Sequence, residues 1–281
     1  MKTDSQVRII AVACSALLIS TSFSLADEGV SGGNDLSGMI EQEVSSFELS
    51  GYGPDGKREW QLKGESADIS SDEVWLKSIT ANSYGENQDF TLEAASGIYD
   101  KKGKMIHLDD GVKAVTSDGT RIETTSCDWN SDTHQLHTPN EVAITTTGIS
   151  TTGKGALIRP EDKSFSLKED VIVKLEDGAV VITCDGSLEL DYEKGIARFT
   201  ENVCIDDESG QLIADKVDVV LDAHTKKMQQ AVATGNVRVK DGKNWISAER
   251  AIYETETKKM TLTGRPRLIY YPSEEDKKKV R

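Results

Sequence analysis

The chain of 281 residues contains 33 basic and 48 acidic residues, so its formal net charge is −15. Binding to nucleic acid requires a basic face that neutralises phosphates, and this charge therefore excludes nucleic acid as a partner. Aromatic residues make up only 6% of the sequence, a share typical of thin β-layers rather than of a thick globular core.

The first 26 residues have the features of a secretory signal. Lys2 and Arg8 precede an apolar run over 9–26, and the small residues Ser24 and Ala26 fit a cleavage site at the end of that run. The same run is long enough for an uncleaved membrane anchor, although several hydroxyl residues interrupt it. Both alternatives export the rest of the chain, either as a free protein or held at the membrane by the segment 9–26.

Three cysteines follow this segment, namely Cys127, Cys184 and Cys204. An odd number of cysteines in an oxidising compartment leaves at least one thiol unpaired. Their spacing matches no metal-binding or CxxC pattern. We therefore interpret them as small apolar side chains that fill space between strands.

Strands are predicted for most of the remaining chain. Residues 27–43 are rich in Gly, Ser and acidic residues and predict a flexible linker. From Val44 onward apolar and polar residues alternate, as in 171–175 and 217–221, which is the pattern of β-strands. No stretch beyond the linker has a sustained helical period, so the sequence predicts an all-β fold. Residues 273–281 form a charged tail.

A repeat of 29–32 residues runs through these strands. The large apolar markers of the repeat are Tyr99, Trp129, Ile158, Leu190, Leu221 and Tyr253, and each is followed by a second marker, at Val112, Val142, Val171, Val203, Val237 and Pro266. Such a period is typical of stacked units that cannot bury their apolar face alone. Two sets of turn residues accompany the repeat, as at 100–103 and 117–119, so each repeat predicts two antiparallel strands.

Polar or glycine-containing interruptions lie inside every second predicted strand, at 109–111, 139–141, 169–170, 201–202, 235–236 and 264–266. Such interruptions bend a strand and keep its inward-facing positions in phase. Bending the strands at one height predicts two facing, bent sheets with an apolar groove between them. We therefore expect an elongated antiparallel β-jellyroll of roughly 15 strands, either one continuous or two stacked.

Two parts of the chain resemble known families. Segments of the C-terminal part closely resemble the OstA/LptA family, the periplasmic β-jellyroll proteins of lipopolysaccharide export, at 212–219, 233–239, 247–253 and 262–266. Shorter segments upstream are similar to the LptC family, at 47–49, 56–57, 60–62 and 94–99. We place the boundary near residue 176, which gives an LptC-like jellyroll over 44–175 and an OstA/LptA-like jellyroll over 176–272.

The resemblance implies a non-enzymatic carrier of lipopolysaccharide, with no cofactor, metal or catalytic residue. Members of these families hold acyl chains in the groove and join edge to edge between an inner-membrane ABC transporter and an outer-membrane assembly protein. The implied partners are therefore lipopolysaccharide, those two proteins, and a second copy or an LptA-like protein joined at an edge. The candidate lipid-groove residues are Tyr99, Val112, Trp129, Val142, Ile158, Val171, Leu190, Val203, Leu221, Val237 and Tyr253. Each of them is also explained by core packing alone.

Two other classes of function fit a β-repeat. One is a structural or adhesive envelope protein with a filled core. The other is a polysaccharide-acting enzyme, which needs a carboxylate cluster on one exposed face, and the two turns per repeat argue against the solenoid that would carry it. The acidic pairs at 109–110 and 206–207 do not match calcium-binding repeats, and His134 with His137 gives only a weak indication of a metal.

Overall fold

The computed structural model describes residues 42–52, 56–84, 89–130, 133, 135–159, 162, 164–175, 178–191, 193–208, 210–222, 228–242 and 244–269. The predicted signal, all but the last two residues of the linker, and the charged tail lie outside the described residues. Over the described ranges the chain forms nineteen β-strands and no α-helix, which confirms the all-β prediction. Accordingly, none of the described elements is a helix able to cross a bilayer.

The strands follow one another along the chain with antiparallel pairing. They are β1 (Gln42–Tyr52), β2 (Arg58–Ile69), β3 (Glu73–Tyr84), β4 (Asp89–Asp100), β5 (Met105–Asp109), β6 (Val112–Thr116), β7 (Arg121–Thr124), β8 (Cys127–Asn130), β9 (Gln135–Thr146), β10 (Ile149–Arg159), β11 (Ser164–Leu175), β12 (Val180–Cys184), β13 (Leu188–Asp191), β14 (Ile196–Asp207), β15 (Gly210–Leu221), β16 (Met228–Asp241), β17 (Asn244–Glu254), β18 (Lys259–Thr263) and β19 (Arg267–Ile269).

Eight of these elements are the halves of four longer strands that are interrupted in the middle. β5 and β6 both pair with β4, and β12 and β13 both pair with β14. β7 and β8 likewise share β9, and β18 and β19 share β17. Counted as whole strands, the nineteen described elements become fifteen, in agreement with the number predicted from the repeat.

The chain divides into two compact units. Among the described residues, the N-terminal unit comprises 42–147 and 155–165, and the C-terminal unit comprises 148–154 and 166–269. In the N-terminal unit the strands pair in chain order from β1 to β9, if each interrupted strand is counted once. In the C-terminal unit the same meander runs from β11 to the pair β18 and β19.

The strands bend where the sequence predicts interruptions. Positive φ angles occur at five of the six predicted interruptions, all except 139–141, and the residues are Asp110, Gly111, Asp170, Glu201, Asn202, Gly235, Asn236, Gly264 and Arg265. The pairing register shifts at the bend between Thr200 and Val203 and again between Thr234 and Val237. The structure also bends strands that lack a predicted interruption, between β7 and β8 and between β12 and β13.

Each bend keeps the buried positions on one face. In β11, Phe165 and Leu167 before the bend and Val171, Val173 and Leu175 after it are all buried. In the N-terminal unit, residues from both sides of the bend, including Leu108 and Val112, belong to one buried cluster. A sheet face can be this deeply buried only under a second layer, and the bent halves of the same strands provide that layer.

Polar side chains on neighbouring strands are hydrogen-bonded at the bends. The pairs are Ser78 with Glu65, Ser96 with Asp110, Asn140 with Ser126, Asn202 with Asp185, and Asn236 with Asp215. In the last pair, Asn236 Nδ2 donates to Asp215 Oδ2 at 2.9 Å. Since Asn tolerates a left-handed backbone better than most residues, the same side chain serves the bend in two ways.

Two substitutions at Asn236, whose φ is 46°, separate these contributions. Asn236→Gly removes the hydrogen bond but accepts the positive φ, and we expect a loss of about 1 kcal/mol in the free energy of unfolding. Asn236→Ala adds the cost of a left-handed conformation and should lose about 1 kcal/mol more. Urea unfolding of both variants tests this order, and equal losses would show that the backbone conformation contributes nothing.

Candidate functional site

The interior of the C-terminal unit is lined by continuous rows of apolar side chains. One row crosses seven strands through Val173, Ile182, Ile205, Leu212, Val239, Ile246 and Leu268. The other half of the same strands carries a second row, through Leu190, Ala197, Val219, Ala231, Tyr253 and Met260. Because register places each member beside the next, the rows form an uninterrupted apolar surface across the strands.

The exposure of these rows increases toward the last strands. In the first row Val173 is 4% exposed and Leu268 is 62% exposed, and in the second row Leu190 is 2% and Met260 is 40% exposed. Leu268 and Met260 occupy inward positions, since they pair with Ile246 and Tyr253. The interior is therefore closed from the first strands of this unit to its middle, where Val203 and Val237 are 0% exposed, and it is open only at the last strands, β18 and β19.

The N-terminal unit also has an interior row of apolar side chains, but here the exposure increases toward the first strand of the unit and not toward the last. Its central row passes through Leu49, Leu62, Ala81, Leu92, Ala114, Ile122 and Ile144. Leu49 on β1 is 45% exposed, whereas Ile144 on β9 is only 1% exposed. Val44 on β1 also takes an inward position, opposite buried Ala67, and is 38% exposed. The opening of this unit is thus at its first strand.

The predicted groove residues fall into two groups by exposure. Eight are buried, with 0–7% exposure, namely Val112, Val142, Ile158, Val171, Leu190, Val203, Leu221 and Val237. Tyr99, Trp129 and Tyr253 are half-buried. The register places Tyr99 and Trp129 in one row and Leu190 and Tyr253 in another. The exposed inward residues of the terminal strands, such as Leu49 and Leu268, were not among the predicted candidates.

The two rims of the N-terminal interior differ in polarity. One rim is an apolar, half-buried row formed by Ile69, Val74, Tyr99, Ile106, Trp129 and Leu136. The opposite rim contains buried hydroxyl groups, at Ser83, Thr116, Thr120 and Thr146. The register places Trp60 and Phe90 in the same row as these hydroxyls, so this rim is mixed in polarity whereas the opposite rim is apolar.

Three charged side chains form a cluster on the outer face of β14 and β15. Asp218 accepts from Arg198 Nε at 2.8 Å, and Lys216 Nζ lies 2.8 Å from its second oxygen. Burial by itself raises the pKa of the Asp218 carboxyl, but hydrogen bonds from Lys216 and Arg198 outweigh this effect and the pKa is lowered. The same pairing raises the pKa of Arg198.

This lowered pKa makes a pH-dependent contribution to stability. The Asp218 carboxylate stabilises the fold above its unfolded pKa of about 3.9, and the contribution disappears as the pH falls through the lower folded value. We expect Asp218→Asn to reduce the free energy of unfolding by about 1 kcal/mol at pH 7, since the pair is partly exposed. Denaturation at pH 7 and at pH 2 tests this, and an undiminished difference at pH 2 would contradict it.

The three described cysteines are unpaired and lie in strands. Cys127 and Cys184 are buried, and Cys204 is partly exposed. Burial, with a smaller effect of Asp128, raises the pKa of the Cys127 thiol to about 12, and burial raises that of Cys184 to about 11. Such thiols are unreactive at neutral pH, which agrees with their interpretation as apolar side chains.

The predicted histidine pair is only partly described, because His134 lies outside the described residues. His107, on the outer face, places Nδ1 2.6 Å from Asp128 Oδ1. His137 pairs with Asp128 across β8 and β9. In the described part of the chain no three such side chains are arranged to hold a metal ion.

Comparisons with known proteins assign both parts of the chain. The family model described as "Lipopolysaccharide-assembly, LptC-related" matches residues 9–176, and that described as "LptA/(LptD N-terminal domain) LPS transport protein" matches residues 181–280. Among solved structures the chain is similar to LptH from Pseudomonas aeruginosa, the LptA-homologous periplasmic component of a lipopolysaccharide transport device. The identity is 12% over 44% of this chain and 95% of that chain, with a TM-score of 0.37. No curated protein sequence matches.

The fold and the interior define an antiparallel β-repeat protein whose apolar interior opens at its terminal strands. The chain belongs to the LptC-related family of lipopolysaccharide-assembly proteins, since that family model covers more than half of its 281 residues. An LptA-like part follows in the same chain, as the sequence resemblance predicted. The chain is thus a component of periplasmic lipopolysaccharide transport.

Proposed function

We propose that the apolar interior of each unit holds the acyl chains of lipopolysaccharide and passes them from strand to strand. The main observation behind this proposal is that inward-facing apolar side chains are buried within each unit and exposed at the first and last strands of the chain, β1 and β18–β19. Leu49 at the start and Leu268 at the end are 45% and 62% exposed although they continue buried rows. Apolar surface that continues a core into solvent marks a place for an apolar ligand or partner.

The energetics of acyl-chain binding fit such rows. Each CH₂ group transferred from water to an apolar interior contributes about 0.8 kcal/mol to binding. The hydrophobic effect is non-directional, so this contribution does not depend on how the acyl chain is oriented against the side chains. A row of Val, Leu, Ile and Ala side chains offers similar surroundings at successive strands, so a chain can shift by one strand with little change in free energy. The eleven predicted groove residues would form the walls of this path together with the exposed terminal residues.

The edges of the terminal strands supply the second part of the proposal. Among the described strands, β1 pairs only with β2, and β18 and β19 pair only with β17. Their outer edges carry backbone groups that can add a strand of another protein. A second copy or an LptA-like protein added there would extend the interior rows and cover Leu49 or Leu268. Through such joints the chain would connect an inner-membrane ABC transporter with an outer-membrane assembly protein.

The proposal assigns no catalytic step to the chain. Its LptC-like part would take up lipid on the inner-membrane side, either as a free periplasmic protein or anchored by residues 9–26. Its LptA-like part would pass the lipid onward. A filled structural core, the main rival, predicts the same buried rows but no lipid in them.

Site-specific photo-crosslinking in cells tests the proposal. A photoreactive residue at Tyr253, half-buried in an interior row, should form adducts with lipopolysaccharide. The matched control is the adjacent Glu254, which is exposed and takes the opposite face of β17. Adducts at 253 and none at 254 support the proposal, whereas equal labelling or no adduct at either position contradicts it.

A further inference from the structure

A row of hydroxyl side chains crosses one end of the interior of the N-terminal unit. Ser83 pairs with Phe90, Phe90 pairs with Thr116, and Thr116 is bonded through its backbone to Thr120 at the next turn. Thr146 lies beside Thr120, since the preceding pair joins Arg121 to Thr145. The exposure of the four hydroxyl residues is between 0% and 7%.

Two of these hydroxyl groups have no hydrogen-bond partner. Ser83 Oγ and Thr120 Oγ1 are buried and unbonded within the described structure. Thr116 differs, because its hydroxyl donates to Asp118. Buried polar groups in proteins almost always have a partner, so two unbonded hydroxyls in one row indicate that a partner is supplied from outside the chain.

The surroundings restrict what that partner can be. The adjacent inward row is apolar, with Leu62, Ala81, Leu92 and Ala114 on the same strands. The rim at the other end of the strands is also apolar and contains Tyr99 and Trp129. A ligand that fits must therefore be apolar over most of its length and carry hydrogen-bond acceptors at one end. An acyl chain joined to a sugar by an ester or amide has this composition.

We propose that Ser83 and Thr120 donate hydrogen bonds to the ester or amide carbonyl oxygens of an acylated sugar whose chains lie in the apolar rows. This inference rests on the proposed function and adds to it an orientation of the lipid within the N-terminal unit. The head of the lipid lies at the hydroxyl row, and its chains extend toward the bend and the Tyr99 rim. Successive strands spaced by about 4.8 Å place the two hydroxyls roughly 14 Å apart, so they bind different acyl linkages of one molecule.

The test is equilibrium binding to the full exported chain with two probes. Hexa-acylated lipid A contains the ester and amide linkages, and dodecyl sulfonate has an alkyl chain without them. The double variant Ser83→Ala, Thr120→Val removes both hydroxyls and keeps nearly the same volume. We expect its affinity for lipid A to fall about tenfold, which corresponds to about 1.4 kcal/mol, with less than a twofold change for dodecyl sulfonate.

Stability measured without lipid provides the second readout. Removing an unbonded buried hydroxyl should leave the melting temperature unchanged or raise it. The matched control is Thr138→Val, because Thr138 is 1% exposed and its hydroxyl accepts from the Asn140 backbone N–H. That variant should lower the melting temperature and leave lipid A affinity unchanged.

The outcomes separate this inference from the function on which it rests. Wild-type binding of lipid A with equal binding by the double variant would overturn the hydroxyl contacts and assign Ser83 and Thr120 to bound water. A parallel loss for both probes would show a general disturbance of the interior and would also overturn them. Absence of lipid A binding by the wild type would contradict the proposed function itself.

Discussion

Phe199→Ala is expected to lower the free energy of unfolding by about 3–5 kcal/mol, the range for truncation of a fully buried aromatic side chain. Phe199 on β14 is 1% exposed, and it pairs with Leu188 on one side and Val217 on the other. Leu188 and Val217 are themselves buried, so the cavity would be enclosed on both sides. Urea denaturation of the full chain measures the loss.

The control for this prediction is Leu268→Ala, at the exposed end of an interior row. Leu268 is 62% exposed, and its truncation should cost less than about 1 kcal/mol because little apolar area is lost from the interior. Similar losses for the two variants would contradict the closed middle and open end of the C-terminal unit. Leu190 is only 2% exposed, so a charge introduced there would disturb the folded core and would not test lipid binding separately from folding.

Leu268→Arg is expected to reduce lipopolysaccharide binding or transfer at least tenfold while the protein remains folded. The guanidinium would stand at the opening of the interior rows, where an acyl chain would have to pass a charge in apolar surroundings. The side chain is already exposed, so the substitution buries no charge in the free protein. Transfer of labelled lipopolysaccharide to an LptA-like acceptor measures the effect.

The adjacent residue provides a closely matched control. Ile269 is 55% exposed and lies on the same strand, but it pairs with Trp245 on the opposite face from Leu268. Ile269→Arg introduces the same charge one residue away, outside the interior. Equal loss of transfer in both variants would show that charge at the edge strand, rather than obstruction of the interior, causes the effect.

Much of the fold could be predicted because the turns and bends of the repeat contain residue types with known backbone preferences. The Gly235–Asn236 interruption predicts a bend because both residues accept a positive φ, and both adopt one. The break between β7 and β8 was not predicted, since Thr125 and Ser126 carry no comparable preference. There the bend follows from pairing with neighbouring strands that are already bent.

The site was less accessible to sequence reasoning. Periodicity identified buried members of the interior rows, such as Val203 with 0% exposure, because burial and alternation go together. It could not distinguish Leu268 from a buried residue, because both follow the same alternation of apolar and polar positions. Leu268 is exposed because it lies on the last strand. Ser83 was overlooked for the opposite reason, since a hydroxyl residue in a strand is ordinarily taken as outward-facing.

The most direct test of lipid in the interior uses the protein's own tryptophans. Trp129 lies in an interior row beside Ile106, whereas Trp75 is 50% exposed and pairs with Ile98 on the outer face. The chain has four tryptophans, so variants that retain either Trp129 or Trp75 as the single tryptophan are mixed with lipid A that carries bromine on its acyl chains, which quenches tryptophan on contact. We predict quenching of Trp129 and not of Trp75. Equal quenching of both, or quenching of Trp75 alone, would contradict a path for acyl chains through the interior.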